Sequence, residues 1–170
     1  MRALAVLVAA LAVSMEAAAA PTASIVRGDV QIGRYQVKRD GTLGGAIRAF
    51  GQPSGLRRRD VTCLASWRTP GIRISFYNLG GQNPCQGRYG YFGEAIITGR
   101  GWATAKGLRI GDPARRVSAL YGPRRVSGSW AWLLTRRSPF GTGGTYAALS
   151  ARIHSGRVTA FRVKYPAGGD

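Results

Sequence analysis

A chain of 170 residues with 25 Lys and Arg against 7 Asp and Glu carries a formal net charge of +18. Such a field attracts acidic proteins, phosphate-bearing polymers or nucleic acid, and its pull weakens steeply with added salt. A single His and two Cys exclude a metal cluster at any recognised His/Cys spacing.

Arg2 supplies a positive start, residues 3–13 an unbroken apolar run, and residues 17–20 a small-residue zone, the layout of a secretory signal peptide over 1–19. The apolar run is shorter than the roughly 20 residues a spanning helix needs. No Cys follows it for lipid attachment, and no second apolar stretch could anchor the mature chain. The protein is therefore expected to be secreted, extracellular or periplasmic, and not membrane-spanning. Removing the leader takes away Arg2 and Glu16, so the mature charge stays at +18, carried almost wholly by Arg since only Lys38, Lys106 and Lys164 are lysines.

Residues 20–34 read as a flexible lead-in. Tyr35-Gln36-Val37 is a short strand or the start of a helical turn. A helix follows over 42–50, with Thr42 as N-cap and Leu43, Ile47 and Phe50 on one face. Gly51 and Pro53 end it, and Arg57, Arg58 and Arg59 lie in the connecting loop. Strands are expected over 61–68 and 71–78, joined at Thr69-Pro70, and over 92–98. In the second, Ile72, Ile74 and Phe76 alternate with Arg73, Ser75 and Tyr77, so one face is buried and the other wet. Cys63 and Cys85 pair by default in an oxidising compartment, a crosslink contributing about 3 kcal/mol in the chain-entropy picture. Asp112-Pro113 opens a second helix reaching Tyr121, with Asp112 as N-cap and Pro113 at N1. Strands over 129–135, 145–154 and 157–164 complete the chain, the last two joined by a hairpin turn at Ser155-Gly156.

Two stretches share an order of signals. Residues 40–53 (DGTLGGAIRAFGQP) and 108–123 (LRIGDPARRVSALYGP) each give a short amphipathic run closed by aromatic-Gly, then a Trp-bearing apolar segment. The reading is an α+β fold of two tandem units, 35–99 with the disulfide and 100–170 without. Each unit is a short helix followed by a three-stranded antiparallel sheet, and together they form a concave sheet surface.

The run Lys106-Gly107-Leu108-Arg109-Ile110-Gly111-Asp112, the helix ending Leu120-Tyr121-Gly122, the Trp strand, and Ala151-x-Ile153-x-x-Gly156-Arg157-Val158 resemble one repeat of a small exported fold. That fold is shared by the beta-lactamase inhibitory protein and the small outer-membrane assembly lipoproteins (SmpA/OmlA-like). The tandem arrangement is most similar to the inhibitory protein. The resemblance covers about residues 41–165 and implies a bacterial, non-enzymatic module that binds protein on its sheet, with no cofactor.

Catalytic constellations are weak. His154 sits in a hairpin turn rather than beside a buried acid. Asp112 and Asp40 read as cap and turn residues, which leaves Glu94 without a carboxylate partner for glycosidase chemistry. The stronger set is aromatic and basic, the composition of interface hot spots. Arg88, Tyr89, Tyr91 and Phe92 form an aromatic loop beside the disulfide. Arg57, Arg58 and Arg59 concentrate charge in one segment, and Arg136 and Arg137 do so in the second unit. Trp67 and Trp132 are expected inside. The leading expectation is binding of another exported protein with an acidic surface, as inhibitor or adaptor of a secreted or envelope enzyme. Its rival is electrostatic binding of an anionic envelope polymer or nucleic acid.

Overall fold

Alternating apolar and polar positions recur along most of the chain, and they place twelve strands in two sheets in the computed structural model, which describes residues 24–139 and 144–166. The expected signal peptide lies outside these residues.

The smaller sheet contains β1 (Ser24–Val26), β2 (Gln31–Ile32), β3 (Tyr35–Gln36) and β8 (Trp102–Thr104) in the order β3-β2-β1-β8. Its β1–β8 pairing is parallel and joins the start of the described chain to its middle. The larger sheet takes β4 (Gly55–Arg59), β5 (Thr62–Trp67), β6 (Ile72–Tyr77) and β7 (Tyr91–Ile97), and then β9 (Val126–Ser127), β10 (Trp130–Arg137), β11 (Thr145–His154) and β12 (Arg157–Lys164). Its order is β4-β5-β6-β7-β12-β11-β10-β9, so the last strand of each run meets the other at the centre. Two short helices, α1 (Leu43–Phe50) and α2 (Arg115–Tyr121), precede the two runs.

This overturns the expected α+β fold of two units with three strands each. Among the described residues the fold is mostly β, with twelve strands in two sheets, one of eight antiparallel strands, and two short helices. The physical reasons are specific. Arg57 to Arg59 looked like loop because they lack alternation. An edge strand with both faces in water needs none, and β4 is exposed at every position. The lead-in looked unpatterned because its strands are two or three residues long, yet Val26 and Ile32 are fully buried.

Helix α1 starts as its sequence requires: Thr42 Oγ1 accepts from the Gly45 amide at 3.1 Å, and Arg48 pairs with Asp40. Helix α2 does not start as expected. Its N-cap is Ala114, because Asp112 instead accepts from the Arg109 amide at 2.8 Å and pairs with Arg116 at 3.5 Å. The Asp112 carboxylate closes the preceding turn rather than the helix.

Both helices cover one face of the large sheet. Cys63, Ala65, Trp67, Ile72, Ile74, Phe76, Ala95, Ile97, Phe161 and Val163 lie on it, all buried. The Phe50 ring sits edge-on to Trp67 at 5.5 Å and to Trp102 at 6.4 Å. The Trp67 and Trp102 indoles donate to the Gly51 and Pro70 carbonyls, both at 2.9 Å. Cys63 and Cys85 are disulfide-bonded with Cα atoms 5.1 Å apart, tying the β6–β7 loop to β5. Ser155 and Gly156 both have positive φ, 48° and 71°, the type I′ geometry that matches the strand twist of a two-residue hairpin.

The N-terminal segment is locked to β10 and β11 by Asp29, which is fully buried. Tyr146 Oη donates to it at 2.7 Å, while Lys38 and Arg136 approach at 3.1 and 3.6 Å. Burial, then the hydrogen bond and charge of Asp29, push the Tyr146 phenol above its ordinary range. Among the described residues no helix is long and apolar enough to cross a membrane.

Candidate functional site: the open face of the large sheet

Strand alternation decides what the opposite face displays. On β5, Thr62, Leu64 and Ser66 point away from the core; on β6, Arg73, Ser75 and Tyr77 do so. The pairing then draws one continuous rung across seven of the eight strands, β4 to β10: Gly55, Ser66, Arg73, Ile96, Arg162, Ser150 and Trp132, with Arg125, just before β9, beyond them, its carbonyl accepting from the Trp132 amide at 2.9 Å. A parallel rung runs Ser127, Trp130, Arg152 and Ala160.

At the β9–β12 end this face is aromatic and cationic. The Arg125 guanidinium lies 4.4 Å from the centroid of the Trp132 ring, and that of Arg162 lies 4.4 Å from Trp130. Each stack contributes about 0.5–2 kcal/mol, more as it is desolvated. Neither arginine meets an acid: the ion pairs formed among the described residues involve Lys38, Arg48, Arg116, Arg136 and Lys164 instead. Glu94, an acid on this face, sits 3.7 Å from Lys164.

The same rung holds unused hydrogen-bonding capacity. Among the described residues, four buried side-chain polar atoms have no hydrogen-bond partner: Asp29 Oδ1, Trp132 Nε1, Ser150 Oγ and Arg162 Nε. The first faces Arg136 at 3.6 Å. The other three are consecutive on one rung of β10, β11 and β12. A buried donor left without a partner costs about 1–3 kcal/mol. The adjoining stretch of the face is indented by a hollow of about 270 Å³, lined by Ser66, Arg73, Ile96 and Thr98 among others.

The residues singled out from sequence divide between the two faces and the loops. Arg57 and Arg59 share the open face with Tyr91, through the rungs Arg57–Leu64 and Arg59–Thr62–Tyr77–Tyr91. Tyr91 is 56% exposed. Gly93 makes room for Tyr77, since a Cβ there would fall 1.7 Å from the ring. Burial and the Glu94 charge raise the Tyr77 phenol above its ordinary value. Arg58 alternates to the other side of β4 and is exposed. Arg88 is exposed in the loop, its guanidinium 5.5 Å from the Tyr89 ring, and the Tyr89 carbonyl accepts from Asn78. Phe92 is in the core against Tyr35, with centroids 6.0 Å apart. Arg136 belongs to the Asp29 lock, and Arg137 is exposed at the end of β10.

Trp67 is buried as expected; Trp132 is not part of the core and stands on the open face, partly exposed. From sequence, Trp130 and Trp132 belong to the aromatic set suited to a wet sheet face and Arg125 to a solvated basic pair, but Ser150, Arg152 and Arg162 carry no signal that joins them to these. The signal was present in part: Trp130 and Trp132 alternate with Ala131 and Leu133, so the indoles share one face and the aliphatics the other. His154 is exposed at the end of β11. Among the described residues no three His, Cys, Asp or Glu side chains come together to hold a metal.

No family model matches this chain, and no curated protein does. One solved structure, an extracellular protein containing an SCP domain from Bacillus anthracis, is similar at 10% identity with a TM-score of 0.44. The match covers 74% of this chain and 43% of that protein.

Proposed function

We propose that this is a secreted, non-enzymatic protein-binding module whose binding surface is the open face of the large sheet. The observation that carries the reading is the pair of neighbouring rungs through Trp132 and Trp130, where two Arg–Trp stacks without acid partners stand beside unused donors. Tryptophan and arginine dominate the energetics of protein interfaces, and a partner with an acidic surface complements the +18 charge. The disulfide favours an oxidising compartment, in keeping with the leader-like residues 1–19. An inhibitory or adaptor role toward a secreted or envelope enzyme draws on the sequence resemblance to the inhibitory protein.

A second reading, collective binding of an anionic envelope polymer, is favoured by β4, where Arg57, Arg58 and Arg59 are all exposed. One experiment separates the two. Tagged mature protein is incubated with the secreted and envelope fractions of the producing cell and washed at low and high salt. A single protein retained at high salt, and lost on Trp130→Ala with Arg125→Ala, supports the module. A heterogeneous anionic fraction shed at high salt, indifferent to Trp130, overturns it.

A further inference from the structure

We propose that Trp132, Ser150 and Arg162 form a receptor for a single carboxylate, the side chain of an aspartate or glutamate on the protein that docks on the open face. The proposal rests on the protein-binding reading for the source of that carboxylate.

Three observations converge. The unpartnered atoms Trp132 Nε1, Ser150 Oγ and Arg162 Nε can all donate. They stand on neighbouring strands at one rung, with Ser150 between the other two. Side chains opposite one another on adjacent strands have Cβ atoms roughly 5 Å apart, the span over which a carboxylate's two oxygens accept from several donors. Nor is the vacancy a general looseness of packing. Trp67 and Trp102, the buried indoles of the core, each donate to a backbone carbonyl, and the Tyr121 and Tyr146 hydroxyls are both bonded.

The surroundings select the acceptor. Arg125 and Arg162 add two guanidinium charges without acid partners, so the site is cationic as well as donor-rich. Ser150 is fully buried, and the Trp132 and Trp130 indoles stand on its own rung and the neighbouring one. A flat monoanion accepts side-on from arginine, whereas a phosphate dianion surrenders more hydration on leaving water. The three donors are covered by the Arg–Trp stacks, so a carboxylate reaches them by displacing Arg125 from the Trp132 ring, where no ion pair holds it among the described residues.

The test follows the Trp132 Nε1–H resonance of the full mature protein during titration with N-acetylglutamate N-methylamide. The glutamine counterpart and inorganic phosphate serve as the other arms. The expected result is a saturable downfield shift of Trp132 alone among the indoles, with glutamine binding weaker by about tenfold or more. Ser150→Ala keeps the fold and weakens the glutamate probe several-fold, as does Arg162→Gln. Equal response to glutamine, tighter response to phosphate, or an unchanged Ser150→Ala titration overturns the proposal. A partner captured through Trp130 whose affinity ignores Ser150→Ala and Trp132→Phe sinks the carboxylate receptor and leaves the module standing. Probe binding with no protein partner retained sinks the module instead.

Discussion

The Arg162 guanidinium lies 4.4 Å from the centroid of the Trp130 ring, although β11 separates their strands. It reaches across because the intervening position on its rung is Ser150, small and fully buried. Arg162 Nε and Ser150 Oγ are left without partners beneath the stack. Ser150→Ala removes one of those unmet groups while keeping the space for Arg162. It should leave stability unchanged or raise it by about 1 kcal/mol, read as the shift in urea midpoint at constant m-value. A loss of stability would mean that the Ser150 hydroxyl is satisfied in solution.

Asp29 gives the opposite asymmetry. It is fully buried, while its partners Lys38 and Arg136 are 47% and 46% exposed. Asp29→Asn frees two cations that can return to water and chiefly weakens the bond from Tyr146, a loss of about 1–3 kcal/mol. Removing both cations by Lys38→Ala with Arg136→Ala strands a buried charge, and the cost rises to about 3–5 kcal/mol. Denaturant melts of the two variants check the order; if the acid substitution is the more damaging, the pair is not what holds the N-terminal segment.

What could be read from the chain follows from where burial imposes a pattern. The strands 145–154 and 157–164, the Thr42 cap and the Cys63–Cys85 bond were legible because each has a local chemical signature: alternation, an acceptor before a helix, two cysteines in a chain with a leader-like start. Strands β4 and β9 were not, since edge positions in water carry no alternation, and β1 pairs with β8, more than seventy residues along. The open face was legible in the alternation of Arg73, Ser75 and Tyr77 and in the exposed Tyr91, whereas Arg57 and Arg59 read as loop. The Trp130–Trp132–Ser150–Arg162 cluster needed the register of three strands, and no single segment records it.

Alkaline pH acts through the phenols. The Tyr35 and Tyr146 phenols are both raised above the ordinary value of about 10, first by burial and then by Asp40 and Asp29 respectively. A raised folded value means that the unfolded chain loses its protons first. The stabilisation is therefore complete below about pH 10 and declines as pH rises beyond it. Thermal midpoints taken from pH 8 to 11 should be level at first and fall steeply above 10. Tyr146→Phe should start lower, by the lost bond to Asp29, and fall less steeply. An equal slope would show that Tyr146 ionises as freely in the folded protein as in the unfolded one.

On the protein-binding proposal, the aromatic loop and the Trp stacks should make separable contributions to partner binding. Tyr91 and Tyr89 lie at the β4–β7 end of the molecule, Tyr91 on the open face and Tyr89 in the loop stacked with Arg88. Double substitution of Tyr89 and Tyr91 to Ala should weaken the partner by about tenfold or more, the scale of one or two interface anchors. These two residues share no rung with Trp130, so combining the change with Trp130→Ala should add in free energy to within about 0.5 kcal/mol. Surface plasmon resonance at two salt concentrations provides both numbers. An unchanged affinity in the tyrosine double variant would confine the interface to the Trp130–Trp132 half of the open face.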